Sequence, residues 1–510
     1  MLVSFRVDEQ DVEVADDGAS LLEALRDRLG IRSPKDGCSP QGQCGCCTVL
    51  IDGQPRVACV TPLRRVAGRS VTTLDGLEPA VRLRWADAFT VAGASQCGFC
   101  TPGIIVRLSA LADLSPPSVE QALVAHLCRC TGWRAIVACA AGAGAGAPSP
   151  AAPARDRDLA AAARRAALEG GPPQSVGAMV ALGAAGFADD TAPGDALVAV
   201  PDGRGGYAVG ETLTEARARA AKVQGRRSGG SLVHPVELPS GPWHRVLRTT
   251  WVEPAYLEPD ASWCVPGGEP ASPLANGGAF GGKVASPAPA AARRLADEHG
   301  RPVRVLYSRE DVVRLGPKRP PVAGGVRADG TGVLRVAHTP GVAAAVAAAT
   351  PGMRVEEVDV AGPPTSAALR AAGWAESAVL VAAARGEAVV AAPGGGRADA
   401  DIAADGSVRV SVWCGDPLDE AVLRSYCTGA AHMALGWVRR EGLAVDRAGV
   451  PLDLTVRSFG ILRAKDTPEV DVQIKADGGP PLAVSDAVFA AVAAAAWRSD
   501  GYPAEWPTRR

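Results

Sequence analysis

Apolar and polar residues alternate over residues 2–7 (LVSFRV) and again over 11–14, the period-two signature of two short strands. Ser20-Leu-Leu-Glu23 then reads as a capping box, opening a helix that runs to Leu29 and stops at Gly30. Residues 38–47 form a Gly- and Cys-rich loop. Strand character returns over 48–52, and Asp52-Gly53 turns the chain into another strand ending near Cys59. Strands wrapped around one helix predict a small α+β domain. From about 80 to 140 the period becomes helical, with segments near 81–93, 102–113, 117–127 and 132–140. AAGAGAGAPSPAAPA at 140–154 reads as a low-complexity linker, and a long mixed α/β region with Gly-rich turns follows it. This pattern divides the chain at 1–78, 79–140, 141–157 and 158–510, and no fixed-period repeat is visible.

Composition changes the picture in two places. Charge is nearly balanced, 53 Lys+Arg against 55 Asp+Glu, which argues against nucleic acid as a partner. Charged residues interrupt the start, MLVSFRVDEQ, where a secretory signal needs an apolar core. The longest apolar candidate, Val488 to Trp497, falls short of the ~18 residues of a membrane span, so no membrane association and a cytoplasmic protein are expected. In that compartment 13 cysteines point to metal ligation before disulfides.

The cysteines fall into two sets. Cys38, Cys44, Cys47 and Cys59 lie in GCSPQGQCGCCTVLIDGQPRVAC. A plant-type [2Fe–2S] loop takes three thiolates from one glycine-rich turn and a fourth from a neighbouring strand, spaced C-x4-C-x2-C…C. Here the first gap is one residue longer, and Cys46 is an extra thiol where a small residue is usual; Cys47 keeps the x2 spacing. Cys97-Gly-Phe-Cys100 and Cys128-Arg-Cys130 offer four thiolates from helix ends, suited to a second compact cluster. Zinc is the alternative metal for either set taken alone. Cys139, Cys264, Cys414 and Cys427 show no ligand spacing and read as small buried apolar residues.

With QCGFCTPG at 96–103 and LCRCTGW at 127–133, residues 1–140 resemble the iron–sulfur subunit of the xanthine dehydrogenase/aldehyde oxidase family of molybdenum hydroxylases. The resemblance implies a β-grasp, ferredoxin-like [2Fe–2S] domain followed by a four-helix [2Fe–2S] bundle. It places the helical cluster nearer the molybdenum, with the ferredoxin-like cluster passing electrons outward and Gln96 approaching the pterin.

After the linker, several stretches resemble the family's molybdopterin-binding subunit, in order. These are Trp251–Pro259, ending in Glu258-Pro; the glycine loop Gly277–Lys283; and Arg301-Pro-Val-Arg-Val with Ser308-Arg-Glu-Asp and Lys318-Arg319-Pro. Arg370-Ala-Ala-Gly373 in Leu369–Glu376, then Asp416-Pro-Leu and Gly429–Gly436, follow. The resemblance implies that Gly278, Ala279, Phe280, Gly281 and Gly282 approach the cofactor and that Arg370 lies near the metal. Alone, GGAFGGK is a tight turn and Arg370 a solvated charge.

The region 158–510 is roughly half the length of the family's large subunits. The segment supplying a glutamine beside the molybdenum is missing. Where the family has a Gly-Glu pair with its catalytic base, this chain has Ser485-Asp486. Asp486 is thus either a shorter base or the N-cap of the Ala-rich helix 487–497. No G-x-G-x-x-G flavin-type segment follows a strand, so a separate FAD subunit or other acceptor is implied; a homodimer is also compatible. The leading expectation is an iron–sulfur, molybdopterin-dependent hydroxylase of an aldehyde or N-heterocycle. Its rivals are an electron carrier with an inactive molybdenum-subunit-like scaffold, and a redox sensor using Cys46 and Cys139.

Overall fold

The computed structural model describes residues 2–144, 157–221, 230–475 and 477–509. The expected linker falls largely outside these; the helix Arg134–Gly144 runs into its start. In Leu2–Val7 the apolar alternates Val3, Phe5 and Val7 point inward. This strand pairs antiparallel with Gln10–Ala15 and parallel with Ser70–Thr72, and Thr48–Ile51 and Gln54–Val57 complete a five-stranded sheet. The Ser20 hydroxyl caps its helix through the Glu23 N–H, but the capping box is only half made. The Glu23 carboxylate turns instead to the Thr214 N–H (3.1 Å) and hydroxyl (2.8 Å), tying this helix to a distant one. The helix itself is one short α turn, Leu21–Glu23, continued as a wider π turn over Ala24–Arg28.

Helices Pro79–Val91, Thr101–Ser109, Pro116–Ala122 and Arg134–Gly144 form the second module, each near its sequence-predicted place. Three four-stranded sheets follow, ordered 207–210, 197–201, 303–306, 261–264; then 353–358, 332–337, 322–326, 245–248; then 389–391, 397–402, 408–413, 470–475. The Ala-rich helix Ser485–Ser499 is buried almost all round, because alanines let Glu420–Arg439 and the strand Arg397–Ile402 approach closely. No helix among the described residues is long and apolar enough to cross a membrane.

The N-terminal modules do not stand apart from the rest. One apolar core runs from Val3 and Phe5 through the cysteines to Trp251, Leu257, Val313, Leu443 and Phe459. Buried ion pairs reinforce it: Arg26 meets Asp189 (2.6 Å) and Asp190 (2.8 Å), and Arg304 meets Asp27 (2.9 Å) and Asp189 (3.1 Å).

His432, inside the long Glu420–Arg439 helix, shares a 3.0 Å hydrogen bond between Nε2 and the Leu462 carbonyl. Burial, then the Arg129 charge, lowers its pKa to about 4. The unfolded chain takes up this proton below its ordinary value of about 6.5, whereas the folded chain resists it until about 4. Stability is therefore expected to fall by roughly 3 kcal/mol as pH drops through that window. Denaturant midpoints measured across it should fall less steeply in His432→Gln; an equal slope in both proteins would contradict this.

Candidate redox centres and the glycine loop

All eight predicted ligand thiols are buried, and they touch one another within each set: Cys38 meets Cys44 and Cys59, Cys59 meets Cys47, Cys100 meets Cys128 and Cys97 meets Cys130. The first set lies on the loop before the strand Thr48–Ile51 and on the turn Ala58–Val60, which carries Cys59. The Gln41 and Gln43 N–H groups donate to Cys38 Sγ at 3.3 and 3.5 Å, and the Cys59 N–H donates to Cys47 Sγ at 3.4 Å. Such N–H···S bonds stabilise negative sulfur. The thiols are in mutual contact: Cys44, then Cys59, hold Cys38 well below the ordinary thiol value, while Cys38 pushes both of them up. Gly45 (φ +72°) cannot be replaced by a larger residue here, because a β-carbon would lie 2.4 Å from the His126 ring.

Cys97 and Cys100 stand at the start of the helix Thr101–Ser109; Cys128 and Cys130 come just before Arg134–Gly144. They meet in pairs. Cys130 and Cys97 sulfurs are 3.5 Å apart, and the Cys100 thiol, hydrogen-bonded to Cys128, draws that group's pKa down to about 6. Two pairs suit two irons with two thiolates each. The modules touch where the Leu127 N–H donates to the Cys44 carbonyl at 3.0 Å, one residue from Cys128. Cys46 is the spare thiol, fully buried between the sets, with Cys44, Cys47 and Cys97 among its neighbours. Cys139, Cys264, Cys414 and Cys427 are buried, as expected.

Arg129, between two ligand cysteines, makes a bidentate pair with Glu441, both bonds 2.6 Å. This partner lies 312 residues away and carries no local sequence signal.

The three stretches expected around the molybdenum do converge. The Arg370 N–H donates to the Phe280 carbonyl (3.1 Å), and its guanidinium lies 5.0 Å from the Phe280 ring centroid. Arg370 is buried, not a solvated charge, and pairs with Asp486 at 3.2 Å. Asp486 sits in the first turn of Ser485–Ser499 and is not its N-cap. Glu169 fills that role from another helix, accepting from the Val484 (3.1 Å) and Ser485 (2.8 Å) N–H groups. Glu258 pairs with Lys283 at 2.7 Å.

Comparison with known proteins identifies the first two modules. A 2Fe-2S iron-sulfur cluster binding domain model matches residues 5–65, and a [2Fe-2S] binding domain model matches 73–141. One of the nicotinate dehydrogenase subunits of Pseudomonas putida is 46% identical over 134 residues, which are 25% of this chain and 85% of that protein. The chain belongs to the xanthine dehydrogenase/aldehyde oxidase family. Within that family, the aldehyde oxidoreductase of Megalodesulfovibrio gigas is 42% identical over 137 residues, only 15% of its own length. The solved aldehyde oxidoreductase from Desulfovibrio gigas superposes with a TM-score of 0.71 at 14% identity, covering 100% of this chain and 99% of that one. At that identity the likeness is one of fold.

Molybdopterin, the family's further cofactor, does not fit the residues present. A β-carbon on Gly278 would lie 2.8 Å from Cys97 Cβ and 3.0 Å from its Sγ, so the glycine loop rests directly on the helical cluster's thiols. One on Gly277 would strike the Gln174 side chain at 2.6 Å, and one on Gly429 the Cys130 carbonyl oxygen at 1.7 Å. Gln96 spends its amide N–H bonds on the Cys130 carbonyl (3.0 Å) and the Ser425 hydroxyl (2.9 Å). What space remains is about 10 Å³ beside Gly277–Ala279 and about 30 Å³ between Phe280, Arg370 and Phe489. A cavity that holds a small organic ligand measures about 300 Å³ or more. These voids admit a few waters.

Proposed function

We propose that this chain is a two-cluster electron carrier with a molybdenum-subunit-like fold as its scaffold. The observation that carries this reading is the seating of Gly278, in the loop that the family resemblance assigns to the cofactor, directly against Cys97 and Cys130. Electrons cross between the clusters near the Leu127–Cys44 hydrogen bond and leave through the half-exposed Pro40–Gln43 edge of the first loop. Val60, next to Cys59, is exposed there, and Arg56, Arg64 and Arg65 nearby are exposed too. That mixture favours an acceptor with an acidic face, either a separate flavin subunit or another redox protein.

A second reading keeps the hydroxylase, acting on an aldehyde or N-heterocycle with Arg370 and Asp486 at the metal. The meeting of Phe280, Arg370 and Asp486 favours it. It requires the glycine loop to withdraw from the cluster thiols and Asp486 to leave its guanidinium.

Elemental analysis separates the two. Protein purified without oxygen, after coexpression with pterin-insertion factors, is expected to carry about four irons and no molybdenum per chain. One molybdenum per chain would overturn the carrier reading in favour of the hydroxylase. About two irons would mean that one thiol set does not hold its cluster.

A further inference from the structure

Arg309 is fully buried, with no exposed surface, and has no carboxylate in contact among the described residues. It opens the helix Arg309–Leu315, held by the reciprocal Ser308–Asp311 capping box. Its Nη2 donates to the Gly37 carbonyl at 2.7 Å and to the Leu257 carbonyl at 2.8 Å. Nε and Nη1 are buried without any partner among the described residues. The Tyr256 ring centroid lies 5.8 Å from the guanidinium. Its cationic neighbours around the clusters are matched: Arg129 by Glu441, Lys318 by Glu253 at 3.0 Å, Lys283 by Glu258. A lone buried guanidinium with unused donors costs several kcal/mol unless an anion compensates it.

The anion is close. Gly37 immediately precedes Cys38, and a β-carbon there would stand 3.1 Å from the sulfurs of both Cys44 and the spare Cys46, and 3.3 Å from the Leu257 carbonyl oxygen that Arg309 also holds. A [2Fe–2S] cluster with four thiolates is negative and gains one more charge on reduction; net charge and nearby donors set its potential.

We propose that Arg309 is the counter-cation of the ferredoxin-like cluster, reaching from the scaffold to raise that cluster's reduction potential above what its own domain would set. It acts as a positioning charge and not as a ligand. Its attraction is stronger for the reduced cluster than for the oxidised one, so it favours electron uptake there over the helical cluster. This gives the molybdenum-like region a task that needs no pterin. The inference rests on the first thiol set holding its cluster, part of the carrier reading above.

The test is a redox titration of the full-length, iron-loaded protein followed by EPR, comparing Arg309→Gln, Arg309→Met and Arg309→Lys with the parent. In the Gln and Met variants the reduced-to-oxidised ratio of the ferredoxin-like cluster at fixed potential is expected to fall about tenfold, a 59 mV negative shift for one electron. Lys, which keeps the charge, should restore most of it. The helical cluster, whose Arg129 is already paired, should move much less. An unchanged potential in Arg309→Gln with about four irons present overturns the proposal. Should the Gln variant lose its cluster, Lys against Met makes the same comparison, and equal potentials in those two overturn it. About two irons in the parent would instead be a failure of the two-cluster reading.

Discussion

Glu441→Ala is expected to destabilise the folded protein by about 3–5 kcal/mol, the usual consequence of breaking a buried ion pair from one side. Arg129 and Glu441 are both nearly inaccessible, with side chains 4% and 1% exposed. Removing the carboxylate leaves a guanidinium between Cys128 and Cys130 with only its Nε bond to the Pro254 carbonyl, 3.1 Å. The pair also joins the helical module to the loop after Glu420–Arg439, so unfolding should begin at that seam. Denaturant midpoints measure the loss. Replacing both partners, as Arg129→Met with Glu441→Leu, should recover much of it, because no unpaired charge is then buried. A single-variant loss below about 1 kcal/mol would mean that water compensates the arginine and that the seam is looser than it looks.

Cys97→Ser is expected to lower iron from about four to about two per chain and to remove one of two EPR signals. Cys97 pairs with Cys130 across 3.5 Å and has Gly278 packed on its sulfur, and the serine oxygen, on a shorter bond and a poorer ligand for iron than a thiolate, is not expected to hold the cluster there. The ferredoxin-like cluster should survive, since its four thiols come from other segments. If all the iron stays, the spare thiol has moved in. Cys46 lies buried within reach of both sets, and iron loss only in Cys46→Ala combined with Cys97→Ser would show it.

The parts of this structure legible in the chain are those written over short spans. Cysteine spacing, the alternation over Leu2–Val7 and the helical period after residue 80 all report local geometry, and all agree with the elements found. The readings to which the structure adds a partner share another cause. Asp486 reads as a base or a cap because its neighbours in sequence suit both, but Glu169, 316 residues before Ser485, does the capping and Arg370 engages the carboxylate. Glu23 completes the capping-box pattern in sequence, yet Thr214 competes for its carboxylate and wins. Arg309 carries no local signal of its role in the sequence, and only the folded chain brings it beside Gly37. The glycine loop GGAFGGK reads as a cradle because glycines permit close approach; they do, but what approaches is the thiol of Cys97.

The longer first loop around Cys38 and Cys44 bears on how the protein matures. Gln41 donates to the Leu454 carbonyl at 2.8 Å and accepts from the Val456 N–H at 3.1 Å, while Gln43 accepts from the Arg457 N–H at 3.2 Å. These bonds bridge some 413 positions of sequence. At a synthesis rate of about 5–20 residues per second, roughly 20–80 s pass between the emergence of the loop and that of the strap bonded to it. During that interval the first thiol set is open to whatever delivers iron and sulfide; afterwards the strap pins the loop through Gln41 and Gln43 and leaves only its half-exposed edge. Assembly of this centre thus carries a deadline set by translation, and slowing the ribosome over the last third of the message lengthens the time available for filling it.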